Sequence, residues 1–256
     1  MNWHVPQMPR RDEPPRGPAP PQQRAGPREP AFTLPGAVTA MIALLVLIHV
    51  ARSMIGYNAD IEVLMLFAFI PVRYVDTLVS LPGGIGADVW TFVTYALLHG
   101  GWTHLIMNVV WLVAFGAAVA RRFGAVRFWV FSAAAAAGGA GLHLAMHFGE
   151  AVPVVGASAA IAGLMAAAAR FVFDTGGPLG LAASRSVSAY RRPALSLMET
   201  FRNRRALVFI LVFFGINLFI GVGGNAAGGV AIAWEAHLGG FITGLLAFKL
   251  FDPVPR

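Results

Sequence analysis

Long apolar runs separated by short polar segments dominate the sequence from residue 36 onwards. The hydrocarbon core of a bilayer is about 30 Å thick, and an α-helix of about 20 apolar residues crosses it. Six runs approach that length, and they predict an all-α membrane protein. The predicted transmembrane helices cover approximately residues 36–55, 103–120, 127–147, 155–173, 206–222 and 235–251.

The segment between the first two runs, residues 57–102, is long and does not read as a membrane span. Its apolar stretch, Ile61–Val72, is too short to cross a bilayer, and Pro71, Pro82 and a glycine pair interrupt the region. We expect a loop lying in the membrane interface with short helices.

Composition supports the membrane assignment and divides the chain into a polar N-terminal tail, a membrane domain and a short C-terminal tail. The chain is 57% hydrophobic and 12% charged, whereas soluble domains carry about 25% charged residues. Residues 1–35 contain ten of the seventeen prolines and five arginines, which predicts a disordered tail. Residues 36–251 form the predicted membrane domain, and 252–256 a short C-terminal tail. The chain has no cysteine, which excludes disulfides, thiolate zinc sites and cysteine nucleophiles.

The basic residues predict the orientation of the helices. With both termini inside, seventeen of the nineteen lysines and arginines fall on the inner side, and only Arg52 and Arg73 fall outside. We therefore expect cytoplasmic termini. The net charge of +7 then reflects topology and attraction to anionic lipid, and no nucleic-acid partner is expected.

Three polar residues begin alternate helices and should share one depth on the outer side: His104, Ser158 and His237. Polar side chains at membrane depth are costly and are functional candidates by default. Serine and histidine together supply a nucleophile and its base. The alternatives are a serine that helps helices to pack and a histidine satisfied by a carbonyl or a metal.

The small residues around this pair predict which helices meet. Gly240 and Gly244 follow His237 on one helix face, and an alanine–glycine face surrounds Ser158. Packing of these two smooth faces would bring the imidazole to the hydroxyl. The neutral histidine could then take the serine proton and later return it to a leaving amine.

His104 and Asn108 lie four residues apart, on one helix face. Both can donate hydrogen bonds, and the backbone N–H of Ser158 at a helix start is a third donor. Converging on one point, they would stabilise an oxyanion, each donor contributing about 3 kcal/mol. Ordinary interhelical hydrogen bonds, worth about 0.6 kcal/mol, are the other interpretation.

These motifs resemble those of rhomboid intramembrane serine proteases of the bacterial six-helix type. The resemblance covers residues 36–251 and uses three motifs in the family's order: His104-Leu105-Ile106-Met107-Asn108, Gly156-Ala157-Ser158, and the run from Ala236-His237 to Gly244. It implies a rhomboid-like bundle, a Ser158–His237 dyad, and oxyanion roles for His104, Asn108 and the Ser158 N–H. It also implies a place near the site for His99 and location in a bacterial inner membrane, with the site open to the outer face.

Three positions depart from the family pattern. The loop often carries Trp-Arg, but the sequence reads Trp90-Thr91, which weakens the expected loop anchoring. Ala159 replaces a frequent glycine. Ala162 stands where an aromatic ring often packs on the histidine, so either His237 is less well oriented or another side chain fills the gap.

Other polar residues are weaker candidates. His143 and His147 have a spacing that suits a metal, but no third ligand is evident, and no metal site or cofactor is predicted. Glu235 precedes His237 by two residues and could tune it, but we expect it to face outer water. The loop 174–205 is interpreted as a membrane-surface segment.

The expected function is hydrolysis of peptide bonds in transmembrane segments of membrane proteins, by a serine endopeptidase. The main alternative is a rhomboid-like pseudoprotease that binds transmembrane helices without cleaving them. A small proton-relaying transporter is a second alternative, but no inverted repeat is visible in the sequence.

Overall fold

A computed structural model describes residue 1 and residues 34–75, 81–179, 187–226 and 233–255. The predicted tail therefore lies almost entirely outside the described residues. The described chain is all-helical, and its only β feature is an isolated bridge between Phe69 and Val154. The α-helices are α1 Gly36–Met54, α2 Tyr57–Phe67, α3 Gly84–Thr94, α4 Trp102–Trp111, α5 Ala117–Phe123, α6 Ala125–Met146, α7 Ser158–Ala169, α8 Leu197–Arg202, α9 Arg204–Ala226 and α10 Trp234–Phe251.

Four helical segments of the described chain are long and apolar enough to cross a membrane. They are Gly36–Met54, Trp102–Phe123, Ala125–Met146 and Arg204–Gly221. The second joins α4 to α5 through a π-helical segment, Leu112–Gly116. These four match four of the six predicted spans. The prediction of 155–173 was wrong in length, because α7 has only 12 residues.

The segment before α4 contains short helices, as expected. It comprises α2, a 3₁₀ turn at Pro71–Tyr74, α3 and a second turn at Tyr95–Leu97. Arg73 anchors this segment by donating to the carbonyls of Met65 and Pro82. The Trp90 indole donates to the carbonyl of Leu66 at 2.9 Å. An arginine therefore anchors the loop, although it does not follow the tryptophan in sequence.

Helix α7 lies in the centre of the bundle and contacts α6 and α10 along small residues. A Cβ atom added to Gly240 would lie 2.1 Å from the carbonyl oxygen of Ala159, and one added to Gly244 would lie 2.4 Å from that of Gly163. Backbones can approach this closely only where side chains are absent. The close packing that the glycine pattern predicted between α7 and α10 is present, and it sets the position of the residues at the N-terminal ends of these helices.

Candidate active site

Ser158 and His237 meet at the N-terminal ends of the two central helices. The Oγ atom of Ser158, the first residue of α7, lies 2.7 Å from Nε2 of His237 in the first turn of α10. These residues are 79 positions apart in sequence. A hydroxyl within hydrogen-bond reach of an imidazole nitrogen is the arrangement in which a base can activate a nucleophile.

Asn217 of α9 contacts the other side of the same imidazole. Its Oδ1 atom lies 2.7 Å from Nδ1 of His237, and its Nδ2 donates to the carbonyl of Phe213 at 2.8 Å. Because the amide nitrogen is engaged by a carbonyl, the amide oxygen must face the histidine. Oδ1 can only accept, so Nδ1 carries the proton, and in the neutral ring Nε2 is then the acceptor for the Ser158 hydroxyl.

Sequence reasoning did not identify Asn217. The signal was a single carboxamide in an otherwise apolar run, which marks a functional candidate at membrane depth. The sequence left two alternatives at Ala162: either His237 is less well oriented, or another side chain fills the gap. Ala162 packs in an apolar cluster with Phe213 and Phe241, and the contact to His237 comes from the neighbouring helix α9.

His104 lies next to Ser158, against the backbone of Gly156. A Cβ atom on Gly156 would lie 2.7 Å from Nε2 of His104 and 3.7 Å from Oγ of Ser158. Gly156 has a φ of 123°, a value that side chains disfavour. Glycine at this position therefore permits both the turn into α7 and the approach of the imidazole.

Asn108 is buried one turn further along α4, and its Nδ2 donates to the carbonyl of His104 at 2.9 Å. A carboxamide nitrogen carries two hydrogens, so this bond uses one and leaves a second donor. The three predicted oxyanion donors have different surroundings. His104 lies beside Ser158, and Asn108 is bonded back to its own helix. The Ser158 N–H is at a helix start, where it has no acceptor within the helix.

His99 is almost fully buried behind this group. Its ring contacts that of His104 edge to face, with 5.1 Å between the centroids, and Arg52 donates to its carbonyl at 2.9 Å. Burial, reinforced by the neighbouring His104, His49 and Arg52, lowers the pKa of His99 to about 3. His99 is therefore neutral at physiological pH and supports His104 by packing.

Thr91, where the family pattern often has arginine, is also buried. Its hydroxyl donates to the carbonyl of Ala87 at 2.6 Å and contacts the Tyr74 hydroxyl at 3.1 Å. Burial raises the pKa of the Tyr74 hydroxyl, which keeps this contact uncharged. The Tyr74 hydroxyl donates to the carbonyl of Asp88 at 2.8 Å. This bond ties the turn at Pro71–Tyr74 to α3, with Thr91 packed beside it, inside the loop whose anchoring the sequence left in doubt.

The expectation that Glu235, in the first turn of α10, faces water was wrong. Glu235 does not face water: its side chain is only 8% exposed. It lies 3.0 Å from Nε2 of His147 and 3.7 Å from Nδ1 of His143. A third potential ligand for the histidine pair is therefore present, contributed by α10. Sequence reasoning missed it because the two helices are far apart in the chain.

Comparison with known proteins identifies the family of the chain. No curated protein matches the chain significantly. The family model described as "Rhomboid domain" matches residues 86–252, more than half of the 256 residues, from within α3 to the end of α10. The matched region contains Ser158, His237 and the histidine and asparagine of α4, and this chain belongs to the rhomboid family of integral membrane proteins.

Proposed function

We propose that this protein is an intramembrane serine endopeptidase that cleaves transmembrane segments of other membrane proteins. The observation that carries the proposal is the 2.7 Å contact between Ser158 Oγ and His237 Nε2. Ser158 is the nucleophile. His237 takes its proton as the hydroxyl attacks the scissile carbonyl, and gives that proton to the leaving amine as the acyl-enzyme forms.

The oxyanion donors in this mechanism are His104, Asn108 and the backbone N–H of Ser158. His104 is supported by its position against Gly156 beside the hydroxyl. Asn108 contributes the amide hydrogen that is not engaged by the carbonyl of His104. Removal of one such donor typically lowers kcat by about 10²–10³.

Water must reach the acyl-enzyme, and the shortness of α7 supports an aqueous path from the outer face. A helix of 12 residues is about 18 Å long, whereas the hydrocarbon core is about 30 Å thick. With the inner end of α7 at the inner surface, Ser158 would lie below the outer surface, at the base of a depression that water can enter. The charge asymmetry of the sequence supports this orientation, with cytoplasmic termini in a bacterial inner membrane.

The complete arrangement in this proposal has six spans. The four long apolar segments are four of these spans, and α7 and α10 are the other two. These two central helices tolerate short length and polar residues because protein, rather than lipid, covers much of their surface. A substrate helix must unwind locally before its peptide bond can reach Ser158, since the backbone groups of an intact helix are already paired.

The test is cleavage of a panel of single-span substrates by purified protein in liposomes. Ser158→Ala and His237→Ala should each abolish cleavage, whereas Ser132→Ala should not. Ser132 is a matched control, because it is a buried serine on α6 whose hydroxyl donates to the carbonyl of Phe128 at 2.8 Å. Cleavage that survives Ser158→Ala would overturn the assignment.

A fluorophosphonate probe separates the protease from the pseudoprotease without knowledge of the substrate. An activated serine reacts with the probe, so wild type and Ser132→Ala should be labelled and the other two variants should not. Intact binding of transmembrane helices with neither labelling nor cleavage would instead assign the protein as a pseudoprotease.

A further inference from the structure

A group of three metal-ligating side chains joins the outer ends of α6 and α10, apart from the proposed catalytic pair. It consists of His143, His147 and Glu235, and one ligand atom from each lies within 4.8 Å of the others. We propose that these residues form a binding site for a divalent transition metal ion, for which Zn²⁺ is the probe.

The residue types are those of a known zinc chemistry. Two histidines four residues apart on one helix face, completed by a carboxylate from another element, form a three-ligand zinc site that keeps a fourth position for an exchangeable ligand. His143 in the last turn of α6 and His147, the residue that follows the helix, have this spacing. Their rings stack with 4.4 Å between centroids. Glu235 supplies the carboxylate from the first turn of α10.

The distances fit a tetrahedral ion. With zinc–ligand bonds of about 2.0–2.2 Å, two tetrahedral ligand atoms are roughly 3.3–3.5 Å apart. Glu235 Oε1 lies 3.0 Å from His147 Nε2, and Glu235 Oε2 lies 3.7 Å from His143 Nδ1. These two separations are close to the required one, but they join different oxygens of the carboxylate. With one ligand atom from each residue the three atoms lie within 4.8 Å of one another, and side-chain rotations would bring them to the tetrahedral spacing.

Burial without hydrogen bonding is the second observation. The side chains of His143 and Glu235 are 7% and 8% exposed. Nδ1 of His143 has no hydrogen-bond partner among the described residues. The ring nitrogens of His147 contact carboxylate oxygens of Glu150 and Glu235 at 3.0 Å, but without the geometry of a hydrogen bond. Buried polar atoms are normally satisfied, and a buried carboxylate requires a cation. A metal ion between the three side chains meets both requirements at once.

Glu150 completes the surroundings of the site. Its Oε2 atom lies 3.0 Å from Nδ1 of His147, the ring nitrogen that faces away from Glu235. Metal-bound histidines commonly donate their second N–H to a carboxylate, which orients the ring. We therefore assign Glu150 as a positioning residue and not as a ligand.

The direct test is zinc binding by the full chain, purified in detergent with a tag that contains no histidine and stripped by a chelator. We expect one Zn²⁺ per chain. His147→Gln and Glu235→Gln should each weaken zinc binding by at least a hundredfold, and Glu150→Gln by about tenfold. Glu62→Gln, an exposed carboxylate on α2, is the matched control and should leave affinity unchanged.

Thermal unfolding provides a readout that does not depend on catalysis. Zinc at a hundredfold excess over its Kd should raise the unfolding temperature of wild type by roughly 5 °C or more. The same shift is expected for Ser158→Ala and for Glu62→Gln but not for His147→Gln. Because Ser158→Ala is inactive under the proposed function, this result separates the metal site from the protease assignment.

Two results would overturn the proposal. One is no zinc binding by wild type at 100-fold the concentration of protein. The other is undiminished zinc affinity in both His147→Gln and Glu235→Gln, which would locate any bound metal elsewhere. The side chain of His147 is 27% exposed, and this residue immediately follows α6. The His147→Gln variant should therefore fold even if Glu235→Gln does not.

Discussion

The side-chain oxygen of Asn217 accepts a hydrogen bond from Nδ1 of His237 at 2.7 Å, on the side of the ring opposite Ser158. The serine, histidine and asparagine therefore form a continuous chain of hydrogen bonds across α7, α10 and α9. Such an orienting group fixes the tautomer and the direction of the base, which is the role of the third member of serine protease triads.

We predict that Asn217→Leu will lower kcat by about 10- to 100-fold with little change in KM. A hydrogen bond to an imidazole that becomes charged during the reaction contributes about 1.5–3 kcal/mol, and each 1.4 kcal/mol is a factor of ten in rate. Asn217→Asp keeps an acceptor at this position and should retain more activity than the leucine variant. Steady-state cleavage in liposomes measures both parameters.

Leu218→Ala is the control for Asn217, because Leu218 is the next residue on α9 and its side chain is 54% exposed. It should leave kcat within twofold of wild type. Equal losses in Asn217→Leu and Asn217→Asp, or a loss confined to KM, would contradict the positioning role and indicate a general disturbance of α9.

Gly156→Ala should reduce activity by at least a hundredfold. The new methyl group would lie 2.7 Å from the His104 ring, and the residue would have to adopt a φ of 123°, so His104 must move away from Ser158. Gly101→Ala is the matched control. Gly101 immediately precedes α4, near the same residues, and has extended backbone. No atom lies within 4 Å of a Cβ added at this position. If Gly156→Ala is as active as Gly101→Ala, His104 does not contribute to the reaction.

The sequence predicted most accurately the positions of residues that lie next to a recognisable packing pattern. Gly240 and Gly244 indicated the contact of α10 with α7, and that contact places His237 beside Ser158. Asn217 was not predicted as a partner of His237, and Glu235 was expected to face water rather than to contact His143 and His147. Pairing between distant helices depends on rotation about the helix axes, which one sequence does not encode in a readable pattern. The length of α7 was overestimated for a related reason: an apolar run does not reveal where a buried helix ends.

The close contact of α10 with α7 at Gly240 predicts that a larger residue at this position destabilises the protein. Gly240→Ala should destabilise the protein by about 1–3 kcal/mol, because the added methyl group would lie 2.1 Å from the Ala159 carbonyl oxygen and force the helices apart. Gly141→Ala, in α6, has no atom within 4 Å of the new Cβ and should be neutral or stabilising by up to about 1 kcal/mol. Thermal unfolding in detergent compares them, and similar unfolding temperatures for the two variants would contradict close packing at Gly240.

A buried ion pair at the opposite end of the bundle gives the last prediction. The Arg122 guanidinium makes two 2.8 Å bonds to the Asp252 carboxylate, and its Nη1 donates to the carbonyls of Tyr190 and Arg192. These side chains are 0% and 9% exposed. Arg122 therefore joins the end of α5 to the residue after α10 and to the connection before α8.

Loss of either charge should be costly because it leaves the other buried and unpaired. Arg122→Met and Asp252→Leu should each destabilise the protein by about 3–5 kcal/mol, and the double variant by less than the sum of the two. Arg127→Met, at an exposed arginine five residues further along, should change stability by no more than about 0.5 kcal/mol. Thermal unfolding compares the losses of stability. If the loss in the double variant equals the sum of the two single losses, the pair contributes no coupling energy. The connection between α5 and α10 would then depend on the carbonyl contacts of Arg122 alone.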